Sequence, residues 1–125
     1  MKKGFTLTEI LITIIIIAVL AAIAFPGFSK SREKSEAAQA VNFLQTIRLA
    51  EKMYYAKNAT YLACADAAAI KTNLGAEIKA GSYTFKVEAG AAGIATSFLA
   101  TATGVYLFTV DEDGDFTKDG AAFTV

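Results

Sequence analysis

Charged side chains are absent from Ile10 to Ser29, a stretch dominated by isoleucine, leucine, valine and alanine, and they return at Lys30. At about 1.5 Å per residue such a run covers the roughly 30 Å of hydrocarbon in a bilayer, so the pattern predicts a membrane-spanning helix. Ile14-Ile15-Ile16-Ile17 is β-branched, which weakens helix propensity in water. Hydrocarbon overrides that weakness, because backbone groups there must pair within their own segment. From Lys30 to about Tyr54 the pattern turns amphipathic. Ala37, Val41, Leu44, Ile47 and Tyr54 fall on one face, while Glu33, Glu36, Arg48 and Lys52 lie largely around the other side. The apolar stripe reads as core. Joined to the apolar run it gives a helix of about 50 residues, roughly 75 Å long, which is stable only in lipid or among other copies of itself. Pro26-Gly27 marks the junction, where loss of a backbone donor and a clash with the preceding turn predict a kink.

The second half alternates differently. Tyr54 to Tyr61 is a polar and aromatic exit from the helix, and Ala65 to Leu74 predicts a short helix ended by Asn73 or Gly75. Ser82 to Ala89 places Tyr83, Phe85 and Val87 on one face of a strand; Ile94 to Thr103 and Val105 to Val110 follow, and Phe116 or Phe123 to Val125 supplies a short fourth. Glycine-bearing breaks at Gly90 to Gly93, Gly104 and Gly114 suit hairpins, which makes the sheet antiparallel. The expected fold class is α+β: a long N-terminal helix, membrane-spanning in its first half and amphipathic in its second, packed on a C-terminal antiparallel sheet of three to four strands.

Length and composition narrow the functions. The 125 residues suit a single domain plus a membrane segment. Twelve lysines and arginines balance 12 aspartates and glutamates, and loss of Lys2 and Lys3 would leave a mildly acidic product, so no specific nucleic acid is expected as a partner. There is no histidine, which excludes histidine-based triads and metal sites, and no carboxylate pair or Ser-Lys arrangement stands out; an enzyme is not expected. Cys64 is the lone cysteine, reads as a small packing residue in an alanine-rich stretch, and forbids an intrachain disulfide. Asn58-Ala59-Thr60 has the form of a glycosylation acceptor and reads as surface loop.

Glu9 is the position that needs a reason. A carboxylate in a bilayer costs roughly 2.5 kcal/mol or more at mid-depth. No lysine, arginine or histidine lies between it and Lys30. A cation becomes available if the chain is cut before Phe5, so that the new amine of this copy or of a neighbour meets the acid. Two plainer readings stand beside it. Thr6-Leu7-Thr8-Glu9 fits a capping box at a helix start, and the basic head with its apolar run has the outline of a secretory signal peptide, although Ala21 to Pro26 makes a poor cleavage site.

Gly4-Phe5-Thr6-Leu7-Thr8-Glu9, after Lys2-Lys3 and before the apolar run, resembles the leader junction of type IV prepilins and of the pseudopilins of type II secretion. The resemblance is strong over about the first fifth of the chain and continues as a similarity of layout. It implies cleavage after Gly4 by a prepilin peptidase, N-methylation of Phe5, and subunit assembly through Phe5 and Glu9 of neighbouring copies. The stretch between Glu9 and Pro26 is where helices of that family unwind locally on packing. The lone Cys64 departs from the many pilins that close their C-terminal region with a disulfide. Major pseudopilins carry calcium in a C-terminal loop, which makes Asp111, Asp113 and Asp115 calcium candidates. Their spacing fails the EF-hand pattern, and a solvated aspartate-rich turn needing no ion is the preferred reading, with no cofactor expected.

The resulting division is a leader at residues 1–4 that is removed, a transmembrane and filament-core helix at 5–29, and a globular domain at 30–125 that includes the amphipathic half of the helix. The expected function is that of a major pilin, polymerising with other copies into an extracellular type IV pilus. Its other partners are the prepilin peptidase, the inner-membrane assembly machinery and, before assembly, the lipid bilayer. Lys2 and Lys3 hold the N-terminus on the cytoplasmic side of the bacterial inner membrane, and assembly then carries the subunit to the cell surface. The alternatives are a pseudopilin, a minor pilin for adhesion or DNA uptake, and a monomeric membrane-anchored binding domain.

Overall fold

The computed structural model describes residues 4–79 and 81–124, so the basic head at Lys2 and Lys3 and the terminal Val125 lie outside the described residues. Element order is α1 (Leu7–Asn58), α2 (Ala67–Leu74), β1 (Thr84–Ala89), β2 (Phe98–Thr103), β3 (Leu107–Asp111), β4 (Phe116–Lys118) and β5 (Ala121–Phe123). The contacts divide the chain into two units, Met1–Lys34 and Ser35–Val125.

In the first unit α1 begins after Thr6 and runs on through Pro26 and Gly27. Loss of one backbone donor at Pro26 therefore does not end the helix. Its side chains from Leu7 to Phe28 are exposed throughout.

In the second unit α1 buries the predicted stripe. Ala40, Val41, Leu44 and Ile47 are in the core, with Ala37 packed against it. The sheet has five strands in the order β1-β2-β3-β4-β5, each pair antiparallel, with Phe85 opposite Ala102, Ala100 opposite Val110, Thr109 opposite Thr117 and Thr117 opposite Ala122. Phe85, Val87, Phe98, Phe108, Val110 and Phe116 close on the helix stripe. Burying a Leu, Ile, Val or Phe side chain contributes roughly 1.5–3 kcal/mol, and among the described residues this two-layer contact forms one hydrophobic core.

The expectation of three to four strands is corrected to five, because both short segments at the end of the chain form and pair with one another. Three-residue strands are too short to show alternation; what joins them is a two-residue turn in which Asp119 (φ 51°) and Gly120 (φ 84°) both take positive φ, as tight hairpins require. The longer strands start later than expected. Ile94 to Ser97 forms a turn rather than strand, since the Ser97 amide bonds the Gly93 carbonyl at 2.8 Å, and a Cβ on Gly90 would stand 2.5 Å from Ser97 Oγ. The short helix α2 ends at Gly75, one of the two stops expected, with φ 72° and its N–H donated to the Lys71 carbonyl. Asp66 caps the other end by accepting the Ala69 N–H at 2.8 Å.

Two placements on α1 differ from the pattern. Arg48, assigned to the polar side, is half-buried and reaches the β3–β4 turn. Glu51 stands on the core stripe, one turn after Ile47, and is fully buried.

Candidate functional site

Within the first unit the residues around Glu9 form a closed local arrangement. Thr6 donates its backbone N–H (2.8 Å) and its hydroxyl (2.9 Å) to Glu9 Oε2, while Glu9 donates its own N–H to Thr6 Oγ1 at 3.2 Å. This is a reciprocal capping box, and it satisfies two of the backbone donors that every helix start leaves open. Thr13 donates its hydroxyl to the Glu9 carbonyl at 2.7 Å one turn further on. Glu9 is exposed on the stem, and Gly4 and Phe5 lead directly into the cap. A Cβ at Gly4 or at Gly27 would meet nothing within 4 Å, so no packing inside the chain demands glycine at either position. Pro26 and Gly27 lie several turns along the same helix and are not brought to Glu9.

Beyond the cap the stem is greasy on every side. Ile10, Leu11, Ile12, Ile14, Ile15, Ile16, Ile17, Val19, Leu20, Ile23, Phe25 and Phe28 are all exposed. At roughly 25 cal/mol per Å2 of apolar surface, a helix of this kind cannot remain bare in water. It is long and apolar enough to cross a membrane.

The acidic turn belongs to the second unit. Asp111 Oδ1 accepts the N–H groups of Gly114 and Asp115, each at 2.9 Å, which spends this carboxylate on shaping the turn. Glu112 Oε2 accepts the Phe98 N–H at 3.3 Å. Arg48 Nη2 donates to the carbonyls of Glu112 (3.3 Å) and Asp113 (2.9 Å), so a guanidinium lies against the loop. Among the described residues no group of three or more His, Cys, Asp or Glu is placed to hold a metal ion, and Asp111, Asp113 and Asp115 are not gathered as a ligand set.

Sequence reasoning passed over one ionisable group. Glu51 has no exposed surface; its Oε2 accepts the Leu62 N–H at 2.9 Å, and Oε1 is buried without a partner. Burial pushes its carboxyl up to about 7, against the lowering effect of the Leu62 bond. The signal that could have found it is its place in the pattern, four residues after Ile47 on an otherwise apolar face. Cys64 is buried and bonds both ways with the Val87 backbone, at 2.9 and 2.7 Å; burial raises its thiol above the ordinary value. A thiol so placed is an inert packing group.

A bare apolar stem, capped at a lone acid and followed by a helix-on-sheet unit, fits membrane anchoring, with the stem covered by lipid or by protein. Residues 1–25 match the prokaryotic N-terminal methylation motif, and residues 26–117 match a family described as the type IV minor pilin ComP, DNA uptake sequence receptor. The wide pilus major component PilA4 of Thermus thermophilus is 30% identical over 122 residues, 98% of this chain and 91% of that protein. The type IV major pilin protein PilA of Myxococcus xanthus is 37% identical over 60 residues, 48% of this chain and 27% of that protein. Core protein G of the Pectobacterium carotovorum type II secretion system is 35% identical over 60 residues, 48% of this chain and 38% of that protein. The chain thus spans well under half the length of two of these relatives and nearly all of the third. It belongs to the type IV pilin family, a family of structural subunits and not of enzymes.

Proposed function

We propose that this chain is a major pilin: cut after Gly4, methylated on the Phe5 amine, and polymerised through its N-terminal helix into an extracellular type IV pilus. The observation that carries the reading is the stem itself, exposed from Leu7 to Phe28 with Glu9 as its one acid. In a membrane the lipid covers it. Once drawn out, only the stems of other copies can, and Glu9 then pairs with the freed amine of a neighbour, which removes the cost of an unpaired carboxylate in an apolar core. The bilayer, a prepilin peptidase and the inner-membrane assembly machinery are the partners this sequence of events requires.

The Glu9→Ala variant tests it. Insertion and cleavage proceed normally while the subunit disappears from the sheared surface fraction, followed by immunoblot of membrane and sheared material. Undiminished filaments from that variant would sink the proposal, whereas a wild type that is never recovered in the sheared fraction would favour a monomeric anchored domain.

The match of residues 26–117 to the DNA uptake receptor family favours a second reading, a minor pilin that displays a DNA-binding surface. It predicts loss of DNA uptake on deletion with filament mass unchanged, whereas the major-pilin reading predicts loss of the filament. Similarity to core protein G supports a secretion pseudopilin, for which deletion would abolish protein export instead.

A further inference from the structure

The connection between α1 and β1 is strapped down at three points. The Tyr61 N–H bonds the Ile94 carbonyl at 3.1 Å, the Leu62 N–H bonds Glu51 Oε2 at 2.9 Å, and Cys64 pairs with Val87. The first and third anchors join backbone to backbone. The second alone depends on a group that titrates.

Glu51 holds that anchor from a fully buried site. Its second oxygen, Oε1, has no hydrogen-bond partner, and no cation among the described residues bonds to the carboxyl. The titratable and charged groups around it do not remedy this. On the strap stand the Tyr61 hydroxyl and the Cys64 thiol, both neutral near pH 7, with Asp66 acting on Cys64 from the start of α2. On α1 itself, Arg48 commits Nη2 to the carbonyls of Glu112 and Asp113. From the β3–β4 turn the carboxylates of Glu112 and Asp113 add further negative charge near Tyr61. An ionised Glu51 is thus a buried anion whose one hydrogen bond, from an uncharged amide, only partly replaces water.

We infer that Glu51 is a pH-responsive latch: its neutral carboxyl keeps the Thr60–Cys64 strap docked on α1, and its ionisation loosens the strap so that the carboxylate reaches water. Two effects oppose one another. Ionisation strengthens the bond from Leu62, which favours the docked strap, while burial of the charge favours release; with Oε1 enclosed and unpartnered and a single amide on Oε2, burial outweighs the bond, and it pushes the carboxyl up to about 7. Release uncovers Tyr61 and Cys64, which are otherwise almost wholly enclosed. The latch rests on the second unit alone and holds whether the chain builds a pilus, a secretion pseudopilus or neither.

Cys64 is the chain's single cysteine and therefore a unique reporter of the strap. The full-length protein in detergent micelles is labelled with an uncharged disulfide reagent between about pH 5 and about pH 8, with each rate divided by that of a short cysteine peptide to remove ordinary thiol ionisation. The normalised rate rises on the order of tenfold to hundredfold across the range in the wild type and stays level in Glu51→Gln, which retains an acceptor for Leu62 but carries no charge. A level wild-type profile, or an equal rise in Glu51→Gln, overturns the latch. If the variant does not fold, carboxyl 13C NMR of the wild type decides. A Glu51 midpoint about 7, with the Leu62 amide shifting in step, supports the latch, and a midpoint at the ordinary 4.5 overturns it.

Discussion

Arg48 and Gly114 share one small space: a Cβ on Gly114 would stand 2.7 Å from Arg48 Cζ, and Gly114 holds φ at 95°. The guanidinium lies against the turn backbone and donates to the carbonyls of Glu112 and Asp113. Helix α1 and the β3–β4 turn are locked by this contact, without an ion pair to a carboxylate.

Gly114→Ala is therefore expected to lower stability by roughly 1–3 kcal/mol, through both the strained φ and the clash. Arg48→Ala loses its hydrogen bonds to the turn and costs about 1–3 kcal/mol as well. Chemical denaturation checks both, and the double variant should fall short of the sum because the two residues contact one another.

Truncation at the centre of the core costs more. Leu44 has no exposed surface, and Leu44→Ala is expected to lose about 2–5 kcal/mol, read as a lower denaturation midpoint with an unchanged slope.

The pH dependence of stability follows from Glu51. Its folded value, about 7, lies above the unfolded 4.5, so its contribution is fully present below about pH 4.5 and is lost as pH rises through 7. Denaturation at about pH 5 and about pH 8 should show the wild type less stable at the higher pH, by at most about 3 kcal/mol, and Glu51→Gln should reduce that difference. A wild type equally stable at both would remove Glu51 from the account.

How much of this was written in the chain varies with the length of the signal. The apolar run from Ile10, the stripe through Val41, Leu44 and Ile47, and the alternation of Tyr83, Phe85 and Val87 each repeat often enough to be read, and each is found where it was expected. From sequence, strand β5 stands only as an alternative to β4, because three residues carry no period and the hairpin depends on the positive φ of Asp119. Arg48 reads as polar-face and Glu51 goes unread for a different reason. A helical wheel assigns charge to the outside, and whether a long side chain reaches a turn more than 60 residues away is a tertiary fact. At the stem, the capping box and the docking acid were competing readings of the same residues, and the cap is what the isolated chain displays.

The cap made by Glu9 and the proposed pairing of Glu9 with a neighbour separate by mutation. Thr6→Val removes the hydroxyl and weakens the cap, at a cost of about 1 kcal/mol to the first turn, yet leaves the carboxylate available to a neighbour. It should assemble filaments, whereas Glu9→Gln, which preserves much of the cap but not the charge, should not. Electron microscopy of sheared fractions compares them, and loss of filaments in both alike would make the cap the essential feature.

The most direct measurement is the intact mass of the protein recovered from a sheared surface fraction of cells that make it. The mass expected is that of a chain beginning at Phe5 and carrying one added methyl group. A subunit that keeps Met1 to Gly4, or that is never found outside the cell in assembled form, would contradict the account.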